Sequence, residues 1–372
     1  MRVGMPREIK ADEHRVGLVP ASVRELVHNG HEVIIEAGAG EVIGLHDPDY
    51  QRAGARLAGT PAEIFAEADM IVKVKEPQPG EVAMLREGQI VFTYLHLAPN
   101  PELTRGLVAS GATCIAYETV TNDLGGLPLL APMSEVAGRM AVQAGAHCLE
   151  IEQGGRGMLL GGVPGTLPAQ VVVLGGGVVG TNAARVALGM EADVTILDLS
   201  LPRLSDLDLH FGPALNTAFS TVDMVHELVA TADLLVGAVL VPGAAAPRLI
   251  SKEMVRDMKR GSVLVDVAVD QGGCAETSRP TTHSEPTYLV DEVVHYCVAN
   301  MPGAVARTSA FALNNATLPF TLALANQGAE AAISADPHLM AGLNVYRGRV
   351  TYAAVAEATK LPFTDPGNLL RA

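Results

Sequence analysis

The sequence predicts an α/β protein of two α/β domains, one of them doubly wound and inserted in the other, and three observations predict it. Gln170 to Leu199 runs from a β-branched strand through Gly175-Gly176-Gly177-Val178-Val179-Gly180 into an Ala- and Val-rich helical pattern, then into a second strand ending at Asp198. The alternation continues afterwards, with apolar runs near Ala218–Ser220, Leu234–Val239, Val263–Val267 and Val293–Val298 giving six strands in about 130 residues, the number in a complete dinucleotide-binding domain. The same alternation precedes it at Arg2–Met5, Val33–Ile35, Met70–Val74, Ile90–Leu97 and Thr113–Tyr117. Nothing after the helical stretch from Gly303 resembles a third domain. The organisation expected is therefore a discontinuous substrate domain, 1–128 with 307–372, around a Rossmann-type nucleotide domain, 129–306.

Each glycine of the central turn has a physical task. Gly175 permits the tight turn, Gly177 lets a pyrophosphate approach the backbone, and Gly180 lets the helix pack closely. The helix that follows offers free N–H groups and a positive dipole end to phosphates. A carboxylate at Asp198 suits the ribose hydroxyls and repels a 2′-phosphate, which favours NAD over NADP; Arg203 nearby tempers that repulsion.

Composition narrows the classes. The chain has 372 residues, 48% hydrophobic and 18% charged, long enough for two cores and with apolar surface that an oligomer would cover. A net charge of −15 argues against nucleic acid or an anionic membrane as partner. Cys114, Cys148, Cys274 and Cys297 form no C-x-x-C, and neither a leader nor a membrane span is read, so a reduced, cytoplasmic protein is expected.

Ahead of the nucleotide unit, three charged residues fall at loop or strand-end positions. Arg15 lies in PREIKADEHRVGLVP, which leads into a helix that Ser22 could cap. Lys75 ends VKVK, where Lys73 is an equally good candidate on the same face. His96 closes IVFTYLHL. Two cations beside an imidazole suit a small carboxylic acid. Asp270 falls beyond the fifth nucleotide-domain strand, beside Gly272-Gly273, whereas Asp266 sits within the strand and reads as a structural hydrogen-bonder. Ser134 reads as the hydroxyl cap of a helical pattern running to about Ile151, and a second pattern runs from Gly303 to Gln327 with a break expected near Pro319; both are expected to bridge the domains as a hinge.

MPREIK with Arg15, VKVKEP with Lys75, FTYLHLA with His96, MSEVAGRM, VVVLGGGVVG, VDVAVDQGGC, SRPTTH and CVANMPG follow one another in an order and spacing that resembles the alanine dehydrogenases, over Met1 to about residue 330. The resemblance implies conversion of L-alanine, NAD and water into pyruvate, ammonium and NADH. By matching motif, it implies Arg15 and Lys75 on the substrate carboxylate and His96 and Asp270 as proton carriers. It also implies a cofactor lining of Ser134, Asp198, Arg203, Ser220, Arg279, Val239-Leu240, Val267 to Asp270, and Val298 to Met301 with Asn300. A cytoplasmic homohexamer is implied too. Some relatives hold a metal between a glutamate matching Glu118 and a histidine where this chain has Gln327, so no metal site is expected here. The alternatives are a transhydrogenase-type nucleotide subunit, which is similar over the same span but lacks the Arg15, Lys75 and His96 set, and a non-catalytic NAD-binding regulator.

Overall fold

The computed structural model describes residues 1–239 and 247–370. It divides into two compact units, Met1–Met133 with Ala306–Ala372, and Ser134–Val305. In chain order the strands are β1 Arg2–Met5, β2 Glu32–Glu36, β3 Arg56–Ala58, β4 Met70–Val72, β5 Ile90–Thr93, β6 Thr113–Ala116, β7 Gln170–Leu174, β8 Asp193–Asp198, β9 Leu215–Phe219, β10 Leu234–Gly237, β11 Val263–Asp266, β12 Thr287–Val290, β13 Val293–Tyr296, β14 Leu343–Tyr346 and β15 Arg349–Val350.

The first unit holds one eight-stranded sheet in the order β15-β14-β6-β5-β4-β1-β2-β3, and the second a seven-stranded sheet in the order β12-β13-β11-β10-β7-β8-β9. Both are doubly wound about their first strand. β1 lies parallel between β2 and β4, and β7 lies parallel between β8 and β10, so each sheet reverses its strand order beside a strand that leads directly into a candidate site loop. Ligands of such sheets bind outside the carboxyl ends of the strands at that reversal. The central strands Val171–Leu174, Met70–Val72 and Ile90–Thr93 are buried along their whole length, which is why they read as continuous apolar runs rather than alternating ones.

Several sequence expectations need correction. The second sheet has a seventh strand: β12 runs antiparallel to β13, and its TYLV alternates between partly buried and exposed, so it lacks the apolar run that betrays a central strand. β3 and β15 were likewise invisible, being short and at the edges of the first sheet, and β14, buried between β15 and β6, is a four-residue run that includes the polar Asn344. The C-terminal segment enters that sheet through β14 antiparallel to β6.

Ser22 does not cap its helix. The helix is Pro20–His28, with Pro20 at the first position where its missing N–H costs nothing, and the Ser22 hydroxyl instead donates to Asn314 Oδ1 at 2.9 Å. Ser134 is also no cap, since the helix begins at Ala131 and runs to Cys148. The helix Ala306–Gln327 passes through Pro319 unbroken. Its buried face, Ala310, Leu313, Asn314, Thr317 and Thr321, holds it in place, and Asn314 accepts from the Val19 N–H at 2.8 Å, tying down the segment that follows Arg15.

Candidate active site

Lys75, Arg15 and His96 all follow carboxyl ends of central strands of the first sheet: β1 leads to Arg15, β4 to Lys75 and β5 to His96. The strands stop short of the sequence expectation, at Val72 and Thr93, so Lys75 and His96 sit on the connections beyond them. Those connections are fixed by carboxylates. Glu8 accepts from the backbone N–H of Val74 at 2.6 Å and of Lys75 at 3.4 Å. Glu118 accepts from the N–H of Leu95 at 3.1 Å and of His96 at 2.6 Å, which holds His96 in the left-handed region at φ 50°.

The two lysines of VKVK separate cleanly. Lys73 is 1% exposed, and its ammonium lies 3.1 Å from Glu8 Oε2 and 2.9 Å from Glu81 Oε1, both buried. It is a structural cation. Lys75 is half-buried, and among the described residues its ammonium has neither a hydrogen bond nor an ion pair. Burial, then the charges of Arg15 and Lys10, push its pKa down, while Glu13 and Glu76 oppose this. A cation left without a partner among other cations is a place for an anion.

Arg15 is 2% exposed, and one edge of its guanidinium is taken by Glu13: Nε donates to Oε1 at 2.7 Å and Nη2 to Oε2 at 2.5 Å. On its other side, Nη1 donates to Met133 Sδ at 3.0 Å. His96 has its side chain 49% exposed, with Nδ1 3.8 Å from Glu118 Oε1 and the ring edge-on to Tyr94 at 5.9 Å. Crowding by protein lowers its pKa, Glu118 raises it, and Lys75 lowers it again, so the imidazole is set toward the neutral form. Sequence reading missed Glu8 and Glu13. Only the position of Glu13 two residues before Arg15, in ADEHR, hints at the pair.

In the second unit the glycine turn has the geometry its residue types require. Gly175 adopts φ 97°, closed to most side chains; a Cβ on Gly180 would lie 1.8 Å from the Gly175 carbonyl oxygen, and a Cβ on Gly177 would meet nothing within 4 Å. Gly177, exposed, is the residue before the helix Val178–Gly189, so that helix start is open to a pyrophosphate. The two peptides that flank Gly176 are both held: Asp198 Oδ2 accepts from the Gly176 N–H at 2.7 Å, and Arg203 Nε donates to the Gly176 carbonyl at 2.6 Å. Asp198 Oδ1 accepts from the Ser200 N–H, and Arg203 Nη2 donates to Thr181 Oγ1. The Ser220 N–H donates to the Asp198 carbonyl at 3.1 Å, placing Ser220 beside the same corner. Val239 follows β10, and a Cβ on Gly175 would lie 3.3 Å from its Cα. These features fit a dinucleotide.

The other predicted residues divide by exposure. Asp270 is exposed on a single 3₁₀ turn, Val269–Gln271, and its carboxylate has no hydrogen-bond partner among the described residues. Asp266 is fully buried and accepts from Ala268 N, Cys274 N and Ser278 Oγ, so it shapes the loop that carries Asp270. The Arg279 guanidinium lies over the Tyr288 ring at 4.2 Å. Asn300 sits at φ 62°, its carbonyl accepting from His283 at 3.2 Å. Val298 and Met301 are buried in the core, so only their backbone could reach a ligand, while Val267 and Ser134 are half-buried. Leu240 lies outside the described residues.

Two family models cover this chain: alanine dehydrogenase/PNT, N-terminal domain, matches residues 4–137, and alanine dehydrogenase/PNT, C-terminal domain, matches residues 141–353. The chain belongs to the alanine dehydrogenase/PNT family. Within it, the chain is 62% identical over 370 residues to the alanine dehydrogenase of Halomonas elongata, covering 100% of both chains. A solved L-alanine dehydrogenase is 52% identical with a TM-score of 0.94, matching 97% of this chain and 99% of that one. A transhydrogenase from Sinorhizobium meliloti is similar at 27% identity and a TM-score of 0.82, over 95% of this chain and 100% of that one. In this member of the alanine dehydrogenase/PNT family, the Glu118 carboxylate serves the backbone turn at Leu95 and His96.

The two lysines should therefore fail differently when truncated. Lys73→Ala strands two buried carboxylates and should lower unfolding free energy by about 3–5 kcal/mol in denaturant melts. Lys75→Ala should change it by less than about 1 kcal/mol. Equal losses would mean that Lys75 is structural too.

Proposed function

We propose that this chain catalyses the NAD-dependent oxidative deamination of L-alanine, in which L-alanine, NAD and water give pyruvate, ammonium, NADH and a proton, and the reverse reductive amination. The observation that carries the reading is the Lys75 ammonium, which has no partner among the described residues and feels the charge of Arg15, in a chain 62% identical over its whole length to an alanine dehydrogenase. A transhydrogenase-type subunit or a non-catalytic regulator has no use for that cation, and the curated relatives matching at 50–62% are alanine dehydrogenases.

In this mechanism Lys75 and the Arg15 guanidinium hold the substrate carboxylate, which fixes the α-carbon. NAD supplies the hydride acceptor, held at the Gly175–Gly180 turn and by Asp198, with Arg203, Ser220, Arg279 and the Val298–Met301 backbone as further contacts. Loss of hydride from the α-carbon leaves an imine that water must attack. His96, near-neutral and half-open, hydrogen-bonds the oxygen that water brings. Asp270, with an uncommitted carboxylate, takes the proton from the attacking water and returns one to the departing ammonia. We also place the enzyme in the cytoplasm as a homohexamer. Four buried, free cysteines suit a reduced compartment, and exposed Leu159, Leu167 and Leu289 suit burial by other copies; no helix among the described residues is long and apolar enough to cross a membrane.

Asp198→Ala should narrow the preference for NAD over NADP by an amount on the order of 0.5–3 kcal/mol in kcat/KM. Equal use of both cofactors by the unaltered enzyme would contradict the role of Asp198. His96→Ala and Asp270→Ala should each slow turnover by roughly 10²–10⁴-fold with NADH affinity nearly unchanged. Asp266→Asn is the control. Near-normal turnover in Asp270→Ala, with loss of turnover in a folded Asp266→Asn, would transfer the proton role to Asp266. Both sets are read by NADH absorbance with pyruvate and ammonium.

A further inference from the structure

The clamp holds its cations in unequal states. Lys75 has no partner among the described residues, whereas Arg15 is already bonded through Nε and Nη2 to Glu13, a carboxylate whose side chain is 1% exposed. The same carboxylate also accepts from the Arg15 backbone N–H at 3.0 Å. Three N–H groups of one residue thus converge on Glu13, which leaves the guanidinium little freedom of rotation.

Glu13 also acts on Lys75 without touching it. The charged groups around the Lys75 ammonium are Arg15 and Lys10, which disfavour its proton, and Glu13 and Glu76, which favour it; Glu8 holds its backbone, and His96 is near enough to feel its charge. Glu76 is already committed to Lys10 at 2.5 Å. Glu13 is the carboxylate that bonds Arg15 and also favours the Lys75 proton. The charge of Arg15 works against that proton, and a fixed anion acting on both cations lets both stay charged before substrate arrives.

We propose that Glu13 is a positioning residue of the substrate clamp: it sets the direction of the Arg15 guanidinium and supplies the negative charge that balances Arg15 against Lys75. This rests on the clamp described under the proposed function. Its consequence is specific in sign. Lys75 must be protonated to hold a carboxylate, so kcat/KM for pyruvate falls at alkaline pH as Lys75 loses its proton. Removing the Glu13 charge removes one of the influences that hold the proton on, and that fall moves to lower pH.

The test is steady-state reductive amination by the full-length enzyme from pH 7 to 10, with pyruvate varied at saturating ammonium and NADH. Glu13→Gln should raise the pyruvate KM on the order of tenfold or more, as expected for a lost charge-assisted fork. It should also move the alkaline fall to lower pH and leave the NADH Kd unchanged. Glu13→Asp keeps the charge but shortens the reach, so its KM should stay raised while the alkaline fall returns toward that of the unaltered enzyme. If Glu13→Gln does not fold, Glu13→Asp alone decides, and an unaltered pyruvate KM in that variant overturns the proposal. A folded Glu13→Gln with an unmoved alkaline fall overturns it as well, because a purely structural role changes KM without changing the profile. Arg15→Ala and Lys75→Ala separate this from the clamp itself. If both leave the pyruvate KM unchanged the clamp fails, whereas if both raise it and Glu13→Gln does not, only the role of Glu13 fails.

Discussion

The first unit depends on a charge left incomplete. Around the connection after β4, Glu8, Lys73 and Glu81 form a buried set whose members are 1–4% exposed at their side chains, and Glu13 holds Arg15 at 1–2% exposure. Burying ions this deeply costs several kcal/mol apiece before their mutual attraction is counted, and an apolar core would do as well for stability alone. What the arrangement supplies is direction. Glu8 grips the peptide that presents Lys75, and Glu13 grips the guanidinium beside it, so Lys75 is the one cation of the group without a partner among the described residues. Everything outward of that point follows from strand order: because the sheet reverses beside β1, the ends of β1 and β4 open side by side.

The second unit uses the same winding and the opposite electrostatics. Here a helix start kept open by Gly177 offers backbone N–H groups to an anion, and the carboxylate of Asp198 is tied to Gly176 and Ser200. The grip of Asp198 and Arg203 on the two peptides of Gly176 holds the glycine turn before any ligand arrives, which limits the ordering that binding must supply.

Much of this was legible in the sequence, for identifiable reasons. Fully buried parallel strands write themselves as apolar runs, so β1, β4, β5, β7 and β11 were visible, and Gly175 and Gly180 were readable because a left-handed turn and a close backbone approach exclude a side chain there. Edge strands lack that signature, so β3, β12 and β15 were not, and the buried β14 was hidden by Asn344 within its four residues. Lys73 and Lys75 could not be told apart, because a spacing of two would put both on one face of a strand that in fact ends at Val72, and only the carboxylates of distant Glu8 and Glu81 decide between them. Asp266 and Asp270 were separable, since one lies in the strand and the other beyond it. The partnership of Glu13 with Arg15 was missed, because a charge-dense loop such as ADEHR reads as solvated throughout, whereas Glu13 and Arg15 are buried and Asp12 and His14 exposed. Ser22 and Ser134 looked like helix caps by residue type; Pro20 and Ala131 start those helices earlier, and a hydroxyl inside the first turn is indistinguishable in sequence from one just before it.

The central claim is that Lys75 is a chemically exposed, anion-seeking ammonium while Lys73 is sealed. Lysine-selective acylation by an amine reagent near pH 8.5, mapped by mass spectrometry of the intact enzyme's peptides, tests it directly. Lys75 should be modified readily because its pKa is lowered, Lys73 should not be, and pyruvate should protect Lys75 in proportion to its occupancy. Equal labelling of Lys75 with and without saturating pyruvate, or labelling of Lys73 in its place, would contradict the account.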